Sequence, residues 1–217
     1  VQYYKADNFS AAISAFSKIA DAGVNNGKLF YNLGNAYLKN NDIGHAVLWY
    51  ERALKLIPGD PDLNFNHQYS LTLVKDQREN KKISIFRILF FWKYLLSPNT
   101  VKWSGVILNM IFWSVLALQS IKRKKILKMP CGAAFVLALV FILTAFYNHY
   151  ETLYLKEAVI LSDEVSVRSG LSEQATELFV LHAGTKVKIE KEKKEFVRIY
   201  FSDGKIGWIN KRQAGVV

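Results

Sequence analysis

Two long stretches of the chain are rich in apolar residues and contain no charged side chain. They cover residues 103–121 and residues 129–150. Roughly 20 residues of α-helix, at about 1.5 Å per residue, cross the hydrocarbon core of a bilayer. The pattern predicts a transmembrane helical hairpin with spans at residues 101–121 and 129–150. The alternative, a pair of buried core helices, requires a larger flanking domain than the chain offers on either side.

The first of these spans carries a polar amide, Asn109, near its centre. A polar side chain in lipid needs a hydrogen-bonding partner. In an antiparallel hairpin, Thr144 of the second span lies within about one helical turn of the same depth. We therefore hypothesise a hydrogen bond between Asn109 and Thr144.

A shorter apolar and aromatic segment, residues 83–96, precedes the first span and is interrupted by Arg87 and Lys93. It is too short to cross a bilayer. Its cations and aromatic rings suit a helix that lies in the membrane interface. The alternative is that it forms the last, capping helix of the preceding domain.

Residues 27–60 show a helical pattern in which large and small side chains recur at fixed places. The residues that carry it are Phe30, Leu33, Gly34, Tyr37, Ala46, Tyr50, Ala53 and Pro58. Gly34 and Ala46 allow two antiparallel helices to approach closely, and Pro58 ends the second helix. This 34-residue pattern resembles the tetratricopeptide repeat (TPR).

Helical sequence continues on both sides of this repeat, but the repeat spacing continues only toward the N-terminus. Thirty-four residues earlier, Tyr3, Ala12 and Phe16 are in register with the repeat, which predicts a partial first repeat and a natural chain that extends further at its N-terminus. Residues 62–79 lack the repeat signature and are predicted as a capping helix. Residues 1–80 are therefore predicted to form an all-α TPR superhelix.

A superhelix of this kind has a concave face lined by the first helix of each repeat. On this face we expect six residues that could hold an extended peptide or a carboxylate: Lys28, Tyr31, Asn32, Asn35, Leu38 and Lys39. Amides and cations are suitable donors for both ligands. The alternative for each residue is an ordinary solvated side chain.

Residues 158–217 alternate between apolar and polar positions and are punctuated by turns, which predicts five or six short strands. The order V-S-V-R-S-G, L-H-A-G-T-K-V, F-V-R-I and D-G-K-I-G-W-I resembles bacterial SH3 domains. The resemblance implies a small all-β SH3-like barrel that binds peptides or the cell wall. Arg168, Tyr200 and Trp208 are the candidates for its ligand surface. Trp208 could instead belong to the barrel core.

Charge is distributed unevenly along the chain, whose formal net charge is +11. Residues 81–150 hold ten basic and no acidic residues, whereas the remaining regions are nearly balanced. Because the excess of basic residues lies in the most apolar segment, we interpret it as a signal for orientation in the membrane and not for nucleic-acid binding. Five of the seven residues in the loop 122–128 are basic, and short basic loops stay in the cytoplasm. Both termini are therefore predicted on the opposite side of the membrane.

The chain carries little that suggests catalysis. Cys131 is the only cysteine, which excludes a disulfide framework within the chain and a cysteine-rich metal or redox site. Nucleotide-binding, nucleophile-elbow and zinc-protease motifs are missing from the sequence. We predict no enzyme, no cofactor and no metal site. The alternative is an enzyme whose site is assembled across the fold.

The order of repeat, hairpin and barrel resembles the BatE-like tetratricopeptide proteins of Bacteroides aerotolerance operons. The resemblance implies a bacterial inner-membrane protein with both termini in the periplasm, which works with other membrane proteins, and it supplies no catalytic residues. We predict a multi-domain membrane protein that acts as a scaffold. It would bind protein or peptide partners through the groove and the barrel, which the hairpin holds close together. The alternative is a wall-anchoring receptor whose barrel binds peptidoglycan.

Overall fold

The computed structural model describes residues 2–76, 90–122, 128–202 and 204–217. The chain divides into two compact units, one formed by Val1–Ser84 with Leu155–Val217 and the other by Ile85–Tyr154. The helical repeat and the C-terminal strands therefore belong to one unit. The predictions for the start of the 83–96 segment and for most of the basic loop lie outside the described residues.

The N-terminal part of the first unit is helical. Its described helices are α1 (Gln2–Lys5), α2 (Phe9–Asp21), α3 (Gly27–Lys39), α4 (Ile43–Leu56) and α5 (Pro61–Thr72). Asn26, Asp42 and Asp60 cap the last three by accepting hydrogen bonds from backbone N–H groups of the first turn. Such caps satisfy donors that have no partner within a helix. Helix α4 ends just before Pro58, as the sequence predicts.

Helices α3 and α4 pack closely at Gly34. A Cβ atom added to Gly34 would lie 2.5 Å from the ring of Tyr50, so a larger residue would displace that ring. Tyr50 is fully buried with Ala46, Ala53 and Leu63. The close helix–helix contact expected from the repeat pattern is therefore present.

The C-terminal part of the first unit is an antiparallel sheet. Its strands are β1 (Glu157–Ile160), β2 (Glu164–Arg168), β3 (Glu177–His182), β4 (Lys186–Lys193), β5 (Phe196–Ser202), β6 (Lys205–Asn210) and β7 (Ala214–Val216). Within the described residues the strands are ordered β3-β2-β6-β5-β4-β1-β7. Alternate side chains, such as Val197, Ile199 and Phe201 of β5, are buried in one apolar cluster. The alternation in the sequence thus predicts the strands correctly.

The sheet is not closed into a barrel, and this part of the prediction is wrong. Closure requires the first and last strands of a sheet to pair. Strands β3 and β7 are the two edges and, among the described residues, they do not pair with each other. Each edge contacts the helical part instead: Arg52 of α4 donates to the carbonyl of Val216 in β7, and Asp76 accepts from the backbone of His182 in β3.

The helical repeat and the sheet share an apolar core. Val47 and Leu48 of α4, Val74 and Val159 of β1 form one buried cluster across the two parts. The backbones approach closely there, since a Cβ atom on Gly44 would lie 2.6 Å from the carbonyl oxygen of Leu161. The sequence predicts two modules held near each other by the hairpin. The structure instead packs them directly against each other.

The second unit contains α6 (Phe91–Leu95), α7 (Pro98–Lys122) and α8 (Lys128–Tyr154). By length and composition, α7 and α8 are two helices that could each cross a membrane. They pack against each other at Gly105, where an added Cβ atom would lie 3.5 Å from the backbone nitrogen of Ile142. Both helices extend beyond the predicted spans.

Helix α6, which lies in the described part (residues 90–96) of the 83–96 segment, packs against α8. The Trp92 ring stacks on Phe141 with 6.0 Å between ring centroids, and Lys93 Nζ lies 2.9 Å from a carboxylate oxygen of Glu151. These contacts join α6 to α8 within the second unit.

The hypothesised Asn109–Thr144 hydrogen bond does not form among the described residues. Thr144 Oγ1 donates to the carbonyl of Val140 at 2.8 Å and accepts from Trp92 Nε1 at 3.4 Å. The carbonyl one turn earlier is always within reach of a threonine hydroxyl in a helix. The local partner therefore replaces the predicted partner on the other helix.

Candidate protein-binding surfaces

Helices α3 and α5 are joined by a network of polar side chains. Tyr50 Oη donates to Asn35 Oδ1 at 2.7 Å. Asn66 Nδ2 donates to the same oxygen at 2.8 Å and to Tyr31 Oη at 3.0 Å. Burial raises the pKa of Tyr50, so its hydroxyl stays protonated and remains a donor. The network fixes the orientation of two predicted groove residues, Tyr31 and Asn35.

Beside this network, α5 presents exposed apolar side chains. Phe65 is 74% exposed and Tyr69 is 52% exposed. Tyr69 follows Asn66 by three residues and Phe65 by four, so the Tyr69 side chain is a neighbour of each of them on the helix surface. The surface formed by Tyr31, Asn35, Phe65, Asn66 and Tyr69 is called the groove below. It combines aromatic faces with amides, which suits an extended peptide.

Phe65, Asn66 and Tyr69 were missing from the sequence prediction. They follow Tyr31, Asn32 and Asn35 by 34 residues. The repeat spacing could therefore have found them if it had been applied to the concave positions of the capping helix as well as to its packing positions.

The other predicted groove residues are placed less favourably. Lys28 pairs with Asp60, and this hydrogen bond holds the pKa of the Asp60 carboxyl below its ordinary value. Asn32 is half-buried, Leu38 packs against the Ala46 cluster, and Lys39 is exposed. Because the charge of Lys28 is already balanced, Lys28 is a weaker candidate for holding a ligand carboxylate than the sequence suggests.

A buried ion cluster joins the repeat to the sheet. The Glu51 carboxylate of α4 lies 2.8 Å from His67 Nε2 and 2.8 Å from Lys186 Nζ of β4. Burial opposes the ionisation of Glu51, but the His67 hydrogen bond and the Lys186 charge outweigh it and hold the pKa at about 2. Glu51 is therefore an anion that ties α4 to α5 and to β4.

A second polar junction lies where the chain leaves α5. Asp76 accepts hydrogen bonds from the His182 backbone N–H at 2.6 Å and from Thr185 Oγ1 at 2.8 Å. Burial opposes the ionisation of Asp76, and these hydrogen bonds overcome that effect and lower its pKa. The two junctions and the shared apolar core explain why the repeat and the sheet form one unit.

The outer face of the sheet carries an aromatic residue between two arginines. Trp208 of β6 is paired across the strands with Arg168 of β2 on one side and Arg198 of β5 on the other. Its neighbours on β6, Gly207 and Ile209, are buried, whereas Trp208 is half-buried on the opposite face. The interpretation of Trp208 as a core residue is therefore wrong.

A cavity of about 350 Å³ lies on this outer face. It is lined by Arg168 and Trp208 together with residues that include Glu164, Ser166, Phe196 and Arg212. Tyr200 pairs with Ile206 and Lys188 and is not among the lining residues. The structure thus brings together two of the three candidates for the SH3 ligand surface.

Among the described residues, no group of three or more histidine, cysteine, aspartate or glutamate side chains is placed to hold a metal ion.

Comparison with known families agrees with this architecture. Residues 27–60 match the tetratricopeptide repeat, and residues 163–213 match the bacterial SH3 domain. No curated protein matches the chain. Domains of these two kinds suggest protein–protein interaction or binding to the cell wall.

Proposed function

We propose that this protein is a non-enzymatic membrane adaptor that binds an extended segment of a partner protein in the groove. The observation that carries the proposal is Asn66, which bridges Tyr31 and Asn35 and so aligns α3 with α5 beside the exposed Phe65 and Tyr69. An aligned pair of amides offers hydrogen bonds to a peptide backbone, and the aromatic faces offer apolar contact.

The packing of the sheet supports a free groove. The sheet covers α4 at Val47 and Leu48, which are buried, while Phe65 and Tyr69 on α5 remain exposed. The repeat therefore uses its outer surface to hold the sheet and keeps its concave surface for a ligand.

The membrane location belongs to the same proposal. Helices α7 and α8 are long and apolar enough to span a bilayer, and the basic residues of the segment between them favour a cytoplasmic loop. We infer that the repeat and the sheet face the periplasm, as expected for a BatE-like protein of an aerotolerance operon. The role is that of a scaffold for neighbouring envelope proteins.

Photo-crosslinking in intact cells tests the binding function. A benzoyl-phenylalanine in place of Phe65 should give a discrete adduct with a partner protein. The same amino acid in place of Ile19, which is exposed at 45% on α2 outside the groove, is the matched control and should not. The proposal fails if position 65 gives no adduct, or if both positions give the same products.

The cavity on the sheet favours a second candidate, a receptor for the cell wall. Trp208 and Arg168 offer a stacking face and a cation to a peptide carboxylate or a sugar. Cosedimentation of the full chain with purified sacculi tests this function. Loss of cosedimentation in Trp208→Ala, with retention in Tyr200→Phe, would favour the receptor over the adaptor.

A further inference from the structure

Another cavity of the first unit is lined by residues of α2, α3 and α4 and is called the α2–α4 cavity below. Its volume is about 390 Å³. Six of the residues that line it are charged or large and apolar: Asp21, Phe30, Trp49, Arg52, Lys55 and Leu56. The five groove residues are not among its lining residues. The cavity is therefore a binding volume that the proposed function does not use.

Two aromatic rings give this cavity an apolar wall. The centroids of the Phe30 and Trp49 rings lie 5.1 Å apart, and both side chains are only half-buried. Leu56 lines the same cavity. Apolar and aromatic walls with a few polar groups are typical of sites for small ligands. A ligand with an apolar body would cover this wall.

Arg52 is fixed beside this wall and keeps unused donors. Its guanidinium carbon lies 4.6 Å from the centroid of the Trp49 ring. Nε and Nη2 donate to the carbonyl of Val216 at 3.2 and 2.8 Å. A guanidinium has five N–H donors, so both hydrogens of Nη1 and one of Nη2 remain. These form a second pair of parallel donors, and a carboxylate can accept from both at once.

The positive charge at this cavity is poorly compensated. Arg52 and Lys55 donate to main-chain oxygens of Val216 and Val217, and neither forms an ion pair with an aspartate or glutamate of the described residues. Burial lowers the pKa of Arg52, which shows that its charge is partly desolvated. A partly desolvated cation is stabilised by an anionic ligand.

The charges of the lining also restrict the kind of anion. Asp21 lines the cavity without forming an ion pair with Arg52 or Lys55 in the part of the chain that the structure describes. Its carboxylate repels a ligand with two negative charges, whereas a single carboxylate meets two cations. The planar fork of an arginine matches a carboxylate. The lining therefore favours a monocarboxylate over a phosphate dianion.

We propose that the α2–α4 cavity binds an apolar monocarboxylate. Its carboxylate accepts hydrogen bonds from Arg52 and Lys55, and its apolar body packs on Phe30 and Trp49. A free aliphatic amino acid and the last residue of a partner chain both have this chemistry. Because the cavity and the groove share no lining residue, the inference does not depend on the proposed function.

Fluorine NMR of the full chain in uncharged micelles tests the site. Labelling with 5-fluorotryptophan gives one signal for each of five residues: Trp49, Trp92, Trp103, Trp113 and Trp208. The change Trp49→Phe identifies the signal of position 49. The probe is N-acetyl-leucine, titrated at constant pH and ionic strength. Only the Trp49 signal should shift to saturation, with a Kd below about 10 mM.

The other tryptophans are internal controls. Trp92, Trp103 and Trp113 belong to the second unit and report effects of the probe on the micelle. Trp208 reports binding in the cavity on the sheet. A Trp49 signal that does not shift to saturation overturns the proposal, as does saturation of the Trp208 signal in its place.

Two changes in the ligand test its chemistry with the native protein. N-acetyl-leucine amide keeps the apolar body and loses the charge, so it should bind at least about tenfold more weakly. N-acetyl-glycine keeps the carboxylate and loses the apolar side chain, and should also bind about tenfold more weakly. Equal affinity for the acid and the amide overturns the proposal. An equal response to inorganic phosphate also overturns it, because the site would then accept any small anion.

A pair of variants tests the role of the guanidinium. Arg52→Gln should weaken binding of N-acetyl-leucine at least about tenfold. Lys191→Gln removes one positive charge from an exposed lysine of β4 outside the cavity, and its affinity should stay within about twofold of the native value. Native affinity in Arg52→Gln overturns the proposal. The ligand comparisons keep the test decisive if Arg52→Gln fails to fold.

Two further ligands identify the source of the carboxylate. Leucine carries a free ammonium group, which Asp21 attracts, so a site for a free amino acid binds leucine more tightly than N-acetyl-leucine. A site for the end of a partner chain instead prefers an acetylated tripeptide that ends in leucine. Either preference supports the site.

Discussion

Lys186 on β4 lies 2.8 Å from Glu51 on α4, measured from Nζ to Oε1, and this contact ties the sheet to the repeat. Glu51 also accepts from His67, so one carboxylate holds two helices and a strand. A buried carboxylate with two such partners is costly to disturb, because the loss of one member leaves the others without compensation.

Glu51→Gln should therefore destabilise the first unit by about 2 kcal/mol or more, since it leaves Lys186 without its nearest counter-charge. Urea unfolding of the full chain in micelles measures this change. Glu192→Gln is the control, because Glu192 also pairs with two lysines, Lys156 and Lys211, but in an exposed position. Exposed pairs contribute little, so equal effects of the two changes would contradict the role given to Glu51.

Stability should also fall at acid pH because of Glu51. Its pKa is lowered from 4.5 to about 2 in the folded protein. A lowered pKa means that the ionised form stabilises the fold fully above about pH 4.5, and that this stabilisation is lost as the pH falls toward 2. The loss is on the order of 3 kcal/mol.

Unfolding curves of the native protein and of Glu51→Gln, recorded at a series of pH values, check this prediction. The free energies of unfolding of the two proteins should converge as the pH falls. The native protein loses stability when its Glu51 carboxylate is protonated, whereas the variant has no carboxyl group at position 51. A constant difference in free energy of unfolding over the whole pH range would show that Glu51 does not cause the loss of stability at acid pH.

The repeat could be predicted from local spacing alone. Phe30, Gly34 and Tyr50 occupy positions that are fixed by the packing of two short antiparallel helices. Contacts between neighbouring helices therefore produce a recognisable spacing of large and small residues in the sequence. The strands were predictable for the same reason, since burial on one face produces alternation.

The packing of the sheet against the repeat could not be predicted from the sequence. Gly44, Val47 and Leu48 look like ordinary residues of a second repeat helix, and their partners Leu161 and Val159 lie more than one hundred residues away. Neither periodicity nor spacing connects such distant positions. The barrel prediction failed for the related reason that the edges of the sheet contact α4 and Asp76 in place of each other.

Gly34→Ala should destabilise the repeat by about 1–3 kcal/mol, because its methyl group would lie 2.5 Å from the Tyr50 ring. Thermal unfolding measures the effect. Gly132→Ala, in α8, is the matched control: nothing lies within 4 Å of its added Cβ atom, and alanine favours a helix over glycine. Similar melting temperatures for the two variants would argue against the close contact of α3 with α4.

The final prediction concerns the side of the membrane on which the first unit lies. Cys131 is the only cysteine and is buried on α8, so it should resist maleimides from either side. In a Cys131→Ala background, Ser172→Cys reports on the β2–β3 hairpin and Ser120→Cys on the end of α7 next to the basic loop, and both serines are exposed. With both termini in the periplasm, a membrane-impermeant maleimide added to spheroplasts should label position 172 at once and position 120 only after lysis. The reverse pattern would place the groove and the sheet in the cytoplasm and would therefore contradict a periplasmic adaptor. We do not expect this pattern, because it requires the cations of the loop to cross the bilayer against the positive-inside bias.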